Sequence, residues 1–364
     1  MINLCLFVAD ITFKGGIERV LSNLTQVLSV DTNFNITIVS QYRTYPIPNY
    51  PIPENVKIDY LSDIKFAGTP KSFGRMVSHV KNIGRIRRYF EKHNFDIISS
   101  QSFTNTFLLY CAGVDLSKVI AVEHVYWGYY GSIIQFVRRK IYSKCYAVAV
   151  LTKYDYDHYF TYLKNVYLIP NPIAANITKP EYSLTSKNII AIGRLEEQKG
   201  FRGLIESFQR ISSRFPDWHL NIFGEGNLRT ELNELIVNHN LTSNIHLRGT
   251  TNNISAELKQ SAFLVMSSRY EGFGMVLLEA MNEGVPCISF DCPAGPFDIL
   301  GDSKYGILVK NQDFLELTNR ISEMIESENL RLYYSDKAFE RVGNYSAAKI
   351  VERWRNLFKG MLNE

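Results

Sequence analysis

The chain has 364 residues, 46% of them hydrophobic and 21% charged, with 40 Lys and Arg against 36 Asp and Glu. That length exceeds one ordinary core, and that composition excludes a disordered or fibrous chain, so two globular domains are expected. The charge is uneven: residues 1–173 carry a balance of +7 and the remainder −3, which points the first half toward an anionic partner.

Met1 to Asp10 lack a cationic start and a small-residue cleavage site, so their apolar run reads as a buried strand over Leu4–Val8 and not as a signal peptide. No apolar run approaches the roughly 18 to 20 residues of a membrane span. The five cysteines, at positions 5, 111, 145, 287 and 292, show neither metal-ligand spacing nor a disulfide pattern, so a reducing cytoplasm is the expected location. Asn-x-Ser/Thr triplets such as those at Asn35 and Asn176 carry no meaning there.

Apolar runs of strand length alternate with helix-length periodic stretches from end to end, which predicts an α/β doubly wound sheet, twice over. After the first strand, Gly15-Gly16 opens a helix that reaches about Val30. The pair permits close backbone approach to a ligand or simply supplies positive φ, and the sequence leaves both open. Ile36–Ser40 and Val56–Tyr60 are strands, and Lys71 to His93 is a long helix with Phe73, Met76, Val77, Val80, Ile83, Ile86 and Phe90 as its apolar stripe. Lys71, Arg75, Lys81, Arg85, Arg88 and Lys92 populate its other faces, and Arg138, Arg139, Lys140 and Lys144 form a second cluster without nearby acids. Such surfaces suit peripheral contact with an anionic inner membrane through the basic N-terminal domain, or are solvated faces. No nucleic-acid signature accompanies them, so no nucleic-acid partner is expected.

Val119–Val122 is a strand ending in Glu123-His124, where polar groups at a carboxyl end face the crevice used by ligands in open α/β sheets. A histidine merely capping a loop is the competing reading. Tyr126, Trp127, Tyr129 and Tyr130 follow, then strands at Ala147–Leu151 and Val166–Ile169. Asp155-Tyr156-Asp157 has the spacing of a metal-binding Asp-x-Asp, but it opens a helix, where first-turn acids complement the dipole. From Asn171 to Ser186 the chain reads as a linker.

The second half restarts with strand 188–193, followed by Arg194, Lys199 and Gly200 on a strand-to-helix turn, two cations suited to a diphosphate. Strand 218–223 leads into Gly224-Glu225-Gly226, and Ile245–Leu247 reaches Arg248-Gly249. Helix 254–260 and strand 262–266 then feed the turn Ser267 to Gly274 and a helix from Met275 to Glu283. A glycine-bearing turn into a helix leaves N–H donors at a positive dipole end, a ready anion site. Glu271 in the turn and Glu279 one turn into the helix suit a ligand with hydroxyls on both sides of its phosphates; alternatively Glu279, Asn282 and Glu283 are a wet helix face. After Pro286 come strand 287–290, a loop at 291–298, strand 306–309 and two or three helices.

Taken together, Gly15-Gly16 with Glu18-Arg19, Glu123-His124, Asn171-Pro172, Gly193-Arg194 with Lys199-Gly200, Gly224-Glu225-Gly226 and Glu271-x7-Glu279 with Gly284-x-Pro286 resemble the retaining glycosyltransferases of family 4. The resemblance covers nearly the whole chain, and the loop Cys292 to Pro296 is similar to members that build bacterial surface polysaccharides from UDP-sugars. It implies the GT-B fold: two Rossmann-like doubly wound domains, 1–173 for the acceptor and 187–346 for the nucleotide-sugar, facing an interdomain cleft, with helix 347–364 packed back on the first. It also implies roles. Arg194 and Lys199 would bind the donor diphosphate with backbone N–H groups of Phe273, Gly274, Met275 and Val276. Glu279 would hold the ribose, Glu271 the transferred sugar, and Arg248 and Gly249 would border the base. Gly15 and Gly16 would lie beneath phosphates or acceptor, and His124 near the sugar. Asp298 stands where many relatives place a glutamate. The implied reaction moves a hexose or N-acetylhexosamine from a UDP-sugar to a saccharide or lipid-linked saccharide, with no metal and no cofactor.

Three other classes compete. An NAD-dependent dehydrogenase lacks its three-glycine fingerprint here. A non-catalytic binding module would be expected to lose charges at 194, 199, 271 or 279, and all four are present. Same-fold phosphorylases and nucleotide-sugar epimerases share much of the donor site and stay open.

Overall fold

A strand apolar at consecutive positions must be covered on both faces, the condition of a parallel sheet between helices. Segments Leu4–Val8, Ala147–Val150 and Phe263–Met266 meet it, being buried throughout. The computed structural model describes residues 1–65, 73–174 and 178–363, and these form two sheets whose strand pairs are parallel. The basic positions Lys71 and Arg75, the stripe residues Phe73, Met76, Val77 and Val80, and the Asn176 triplet lie outside the residues whose side chains are described.

One compact unit comprises Met1–Ala174 with Ala347–Glu364. Its strands are β1 (Ile2–Val8), β2 (Phe34–Ser40), β3 (Lys57–Tyr60), β4 (Ile97–Gln101), β5 (Val119–Val122), β6 (Ala147–Val150) and β7 (Val166–Leu168), in the order β3-β2-β1-β4-β5-β6-β7. Its helices before the linker are α1 (Gly16–Leu28), α2 (Phe73–Lys92), α3 (Phe103–Cys111), α4 (Ser132–Tyr142) and α5 (Lys153–Phe160). Alternate β1 residues serve opposite cores, as the pleat requires. Leu4, Leu6 and Val8 pack with Leu21, Leu24 and Leu28 of α1 and with Ile350, Val351, Trp354 and Phe358, whereas Cys5 and Phe7 pack with Ile86, Leu108, Ile141 and Tyr159.

β4 and α3 have no counterpart among the predicted elements. Ile97-Ile98-Ser99-Ser100-Gln101 is polar over its second half, yet it is a central strand and wholly buried. Its polar groups satisfy one another, as a buried site demands. Gln101 Nε2 donates to Ser99 Oγ at 2.9 Å, and Thr106 Oγ1 of α3 donates to Ser100 Oγ at 2.9 Å.

The other unit, Ala175–Ser346, orders its strands β10-β9-β8-β11-β12-β13. They are β8 (Asn188–Ile192), β9 (His219–Phe223), β10 (Ile245–Gly249), β11 (Phe263–Met266), β12 (Cys287–Asp291) and β13 (Ile307–Lys310). Between and after them run α6 (Phe201–Ser212), α7 (Arg229–Asn238), α8 (Ile254–Lys259), α9 (Met275–Asn282), α10 (Pro296–Leu300), α11 (Phe314–Glu326) and α12 (Glu328–Val342). α10 occupies part of the stretch expected to be loop; Pro296 in its first turn suits a helix start, where no N–H is needed. The final helix, α13 (Ala347–Asn363), rejoins the first unit, where Ala347 N donates to Ile173 O at 2.9 Å. No helix among the described residues is long and apolar enough to cross a membrane.

Candidate functional site

In the second unit, the turns that leave the carboxyl ends of the strands are knitted by their own backbone. Leu195 N donates to Glu225 O at 2.9 Å, and Gly224 N donates to Gly249 O at 2.8 Å, linking the turns after β8, β9 and β10. Gly224 has φ +144°, and a Cβ there would stand 1.9 Å from Gly193 O, so only glycine permits this approach. The turn after β8 also meets the turn after β11. Ser267 Oγ donates to Lys199 O at 2.8 Å, Arg269 N to Gln198 O at 2.8 Å, and Gln198 Nε2 to Tyr270 O at 2.9 Å. At Gly200 (φ +66°), a Cβ would lie 2.2 Å from Ser267 O.

This backbone contact delivers Lys199 to Glu271. The lysine stem crosses Gly193, and its Nζ donates to Glu271 Oε1 at 2.6 Å; Ser268 Oγ donates to the same oxygen at 2.6 Å. The two charged side chains are only 16% and 9% exposed. Arg194 stands on the same turn but is exposed, its Nη1 donating to Glu196 at 3.1 Å. Past Glu271, Phe273 and Gly274 are buried, Met275 and Val276 half-buried, and α9 starts at Gly274 with no side chain capping it. Leu277 N donates to Gly274 O at 3.0 Å, while the N–H groups of Met275 and Val276 open the helix at the positive end of its dipole.

Glu279 sits half-buried on the next turn of α9. The alternative of a wet helix face does not hold: Asn282 and Glu283 are buried, and Glu283 Oε1 accepts from Ser255 Oγ at 2.8 Å. Arg248 Nε donates to Asn221 Oδ1 at 2.7 Å, and with Thr250, Asn252 and Gln260 it lines a polar cavity of about 550 Å3.

In the first unit, Gly15 is the N-cap of α1, and the Glu18 carboxylate folds back over it, so a Cβ at Gly15 would lie 2.4 Å from Glu18 Oε2. Burial, helped by the charge of Asp10, pushes the Glu18 carboxyl up to about 7. Beyond its place in the Gly15-Gly16 motif, Glu18 is marked by its N3 position, where a capping acid reaches back to the N-cap. Gly16, at the first helical position, has open space where a Cβ would stand.

His124 follows β5 and its Nε2 lies 2.9 Å from Gln101 Oε1, on the strand that the sequence hid. Because Gln101 Nε2 donates to Ser99, its oxygen is the end turned to His124, and that contact is a hydrogen bond in the tautomer whose Nε2 carries the proton. Burial pushes the imidazole down to about 4. We expect its ring C–H resonances to stay in the neutral form at pH 5, with His124→Asn identifying them. An unfolded histidine titrates near 6.5, so the unfolded state binds more protons between about 6.5 and 4. Stability supplied by neutral His124 is therefore full above that window and falls through it by on the order of 2–3 kcal/mol as pH drops. A titration near 6.5 would refute the assignment.

One expectation is corrected, and the helix-start reading of Asp155 is kept. Arg138 does not belong to a basic surface: it is fully buried, 3.5 Å from Glu123 in an ion pair, donates to Trp127 O at 2.8 Å, and lies over the Tyr130 and Tyr159 rings. Tyr142 donates to the same glutamate. The group anchors the stretch from His124 to Gly131 against α4. Asp155 and Asp157 are structural: Asp155 accepts from Thr152 Oγ1 and Trp127 N at 2.6 Å each, and Asp157 pairs with Lys153. Successive i and i+2 side chains do not face each other on a helix.

Residues 174–341 match the sequence model of the family described as Glycosyl transferases group 1. The amylovoran biosynthesis glycosyltransferase AmsD of Erwinia amylovora is 28% identical over 367 residues, covering 98% of this chain and 99% of its own. A Campylobacter jejuni N-acetylgalactosamine-N,N'-diacetylbacillosaminyl-diphospho-undecaprenol 4-alpha-N-acetylgalactosaminyltransferase is 24% identical, over 93% of this chain and 94% of its own. Among solved structures, a mutant of S. aureus TarM in complex with fondaparinux, alpha-GlcNAc-glycerol and UDP superposes with a TM-score of 0.81 at 17% identity, over 98% of this chain and 100% of its own. Residues 174–341 thus carry the sequence pattern of the group 1 glycosyl transferases, and the two parallel-sheet, Rossmann-like units carry the GT-B fold.

Proposed function

We propose that the protein is a retaining, metal-independent glycosyltransferase of family 4 that moves a hexose or N-acetylhexosamine from a UDP-sugar to a lipid-linked saccharide. Its work would lie in the assembly of bacterial surface polysaccharide, lipopolysaccharide or a related glycan in the cytoplasm. The observation that carries the reading is the Lys199–Glu271 pair, held at 2.6 Å beside the uncapped start of α9. A cation, a row of N–H donors and a dipole together suit a diphosphate, and a carboxylate beside them suits the hydroxyls of the sugar it carries. Support for UDP and for a lipid-borne acceptor comes from the TarM complex and from the diphospho-undecaprenol in the Campylobacter relative's name.

In this reading Lys199 exchanges Glu271 for the β-phosphate when donor binds, and Glu271 turns to the sugar hydroxyls. Arg194 joins from the same turn, Glu279 takes the ribose, and Arg248 and Gly249 border the base. The anomeric C–O bond to the β-phosphate breaks, an oxocarbenium-like sugar develops, and the acceptor oxygen bonds to the same face. The acceptor's proton passes to the departing diphosphate. Lys199, Arg194 and the helix end stabilise the charge arriving on that phosphate by fixed electrostatics. His124, neutral above about pH 5, is free to hydrogen-bond a sugar hydroxyl without adding charge.

The test is a thermal-shift panel of nucleotide diphosphates and their sugars, followed by product analysis. At a hundredfold excess over Kd, a ligand adds about 2.7 kcal/mol to the domain it binds, a rise of several degrees in Tm. UDP or one of its sugars should give that rise, EDTA should leave transfer undiminished, and the product should keep the donor's anomeric configuration. Absence of any UDP-dependent rise would overturn the donor assignment.

A further inference from the structure

The outer face of α4 is exposed in a way a water-facing helix rarely is. Ile133 is 82% exposed, Phe136 63% and Ile134 43%, three large apolar side chains within one turn. The inner face explains why they are held outward: Arg138, Ile141 and Tyr142 are buried, and Arg138 is locked by Glu123. Down the outer stripe, at the i, i+3 and i+7 spacing of a single face, Ile133 and Phe136 give way to Lys140, with Arg139 exposed beside it and Lys144 exposed just past the helix end. Lys140 Nζ lies 5.8 Å from the Phe136 ring centre, and Lys144 Nζ lies 4.9 Å from that of Tyr110 on α3. Tyr110 and Phe107 of α3 are themselves exposed and extend the apolar surface. From Val125 to Tyr154 the sequence contains no Asp or Glu.

We infer that the outer face of α4, with the flank of α3, docks on an anionic lipid leaflet, Ile133, Ile134 and Phe136 entering the headgroup–acyl boundary and Arg139, Lys140 and Lys144 meeting lipid phosphates. The charge decides the occupant. A clustered apolar patch alone fits another protein equally well. An apolar end continued by cations, with no acid in the segment, is complementary to a surface apolar within and negative at its rim. The inference gives the lipid-linked acceptor of the proposed function a membrane to be met on, and rests on that reading for its purpose, though its measurement does not.

The experiment is co-sedimentation of the full chain with vesicles of pure phosphatidylcholine and with vesicles one-third phosphatidylglycerol, without donor or acceptor. The wild type should bind the anionic vesicles, weakly at high salt, and leave the neutral ones largely unbound. Lys140→Glu with Lys144→Glu, and separately Ile133→Ser with Phe136→Ser, should each lower the partition at least tenfold. All four side chains face outward, so both variants should keep the wild-type Tm and its rise with UDP. Equal binding to both vesicle types, no binding to either, or unchanged binding by the charge variant would overturn the inference. So would a solution dimer of the wild type that Phe136→Ser dissolves, since a second copy would then cover the face. Failure of the UDP control alone would strike the donor assignment and leave the docking result standing.

Discussion

Lys199→Ala should lower kcat by a hundredfold or more, the usual cost of removing one fixed donor from a developing oxyanion. The pairing with Glu271 adds a second effect that the sequence did not anticipate. Without Lys199, the Glu271 carboxylate keeps the Ser268 hydroxyl but loses its cation in a site only 9% exposed. Breaking a deeply buried pair costs about 3–5 kcal/mol, and the partial exposure of Lys199 discounts that to about 1–3 kcal/mol. Chemical denaturation should therefore show Lys199→Ala destabilised, and Lys199→Met combined with Glu271→Gln largely restored in stability while still inactive. Arg194→Ala should separate the effects in the other direction: it loses turnover to a similar degree with little change in stability, because its partner Glu196 is a surface ion pair. Near-normal turnover in both Lys199→Ala and Arg194→Ala would remove the diphosphate assignment.

Gly224→Ala is expected to be the most damaging single-methyl change at the site. Its Cβ would meet the Gly193 carbonyl oxygen at 1.9 Å, and that contact is backbone to backbone, so no side chain can swing aside. The turn after β8 or the turn after β9 must move, at a cost of about 3 kcal/mol or more. Since Arg194 N lies 3.6 Å from the same point, the displacement reaches the turn proposed to hold the diphosphate, and UDP affinity should fall with stability. Gly16→Ala is the matched control. A Cβ there meets no atom within 4 Å, so its melting temperature should be unchanged and any kinetic effect read as a ligand effect. A Gly224→Ala protein as stable as the parent would show that these turns are not held as described.

How far the sequence could be read depended on where each residue's partners came from. Strands such as β6 and β11 announce themselves because both faces are apolar, and the turn into α9 is marked by its glycines. β4 does not, because Ser99, Ser100 and Gln101 look like a loop until their partners in α3 and at His124 are known. Arg138 was legible as a charge and illegible as a buried one, since Glu123 lies 15 positions away and the two rings that flank the guanidinium come from separate elements. Lys199 and Glu271 were each marked by local pattern. Their direct pairing depends on contact between two turns 72 positions apart, which periodicity does not encode.

The return of α13 to the first unit has a consequence for how the molecule is made. Ile350, Val351, Trp354 and Phe358 close a core whose other walls are β1 and α1, near the opposite end of the sequence. A nascent chain emerging from the ribosome thus displays the apolar surfaces of Leu4, Leu6 and Leu24 throughout synthesis of the intervening 172 residues, Ala175–Ser346, which form a unit of their own. The second lobe is in this sense a guest inserted into the first, able to mature ahead of its host, and the host stays vulnerable to chaperones and proteases until the last helix arrives.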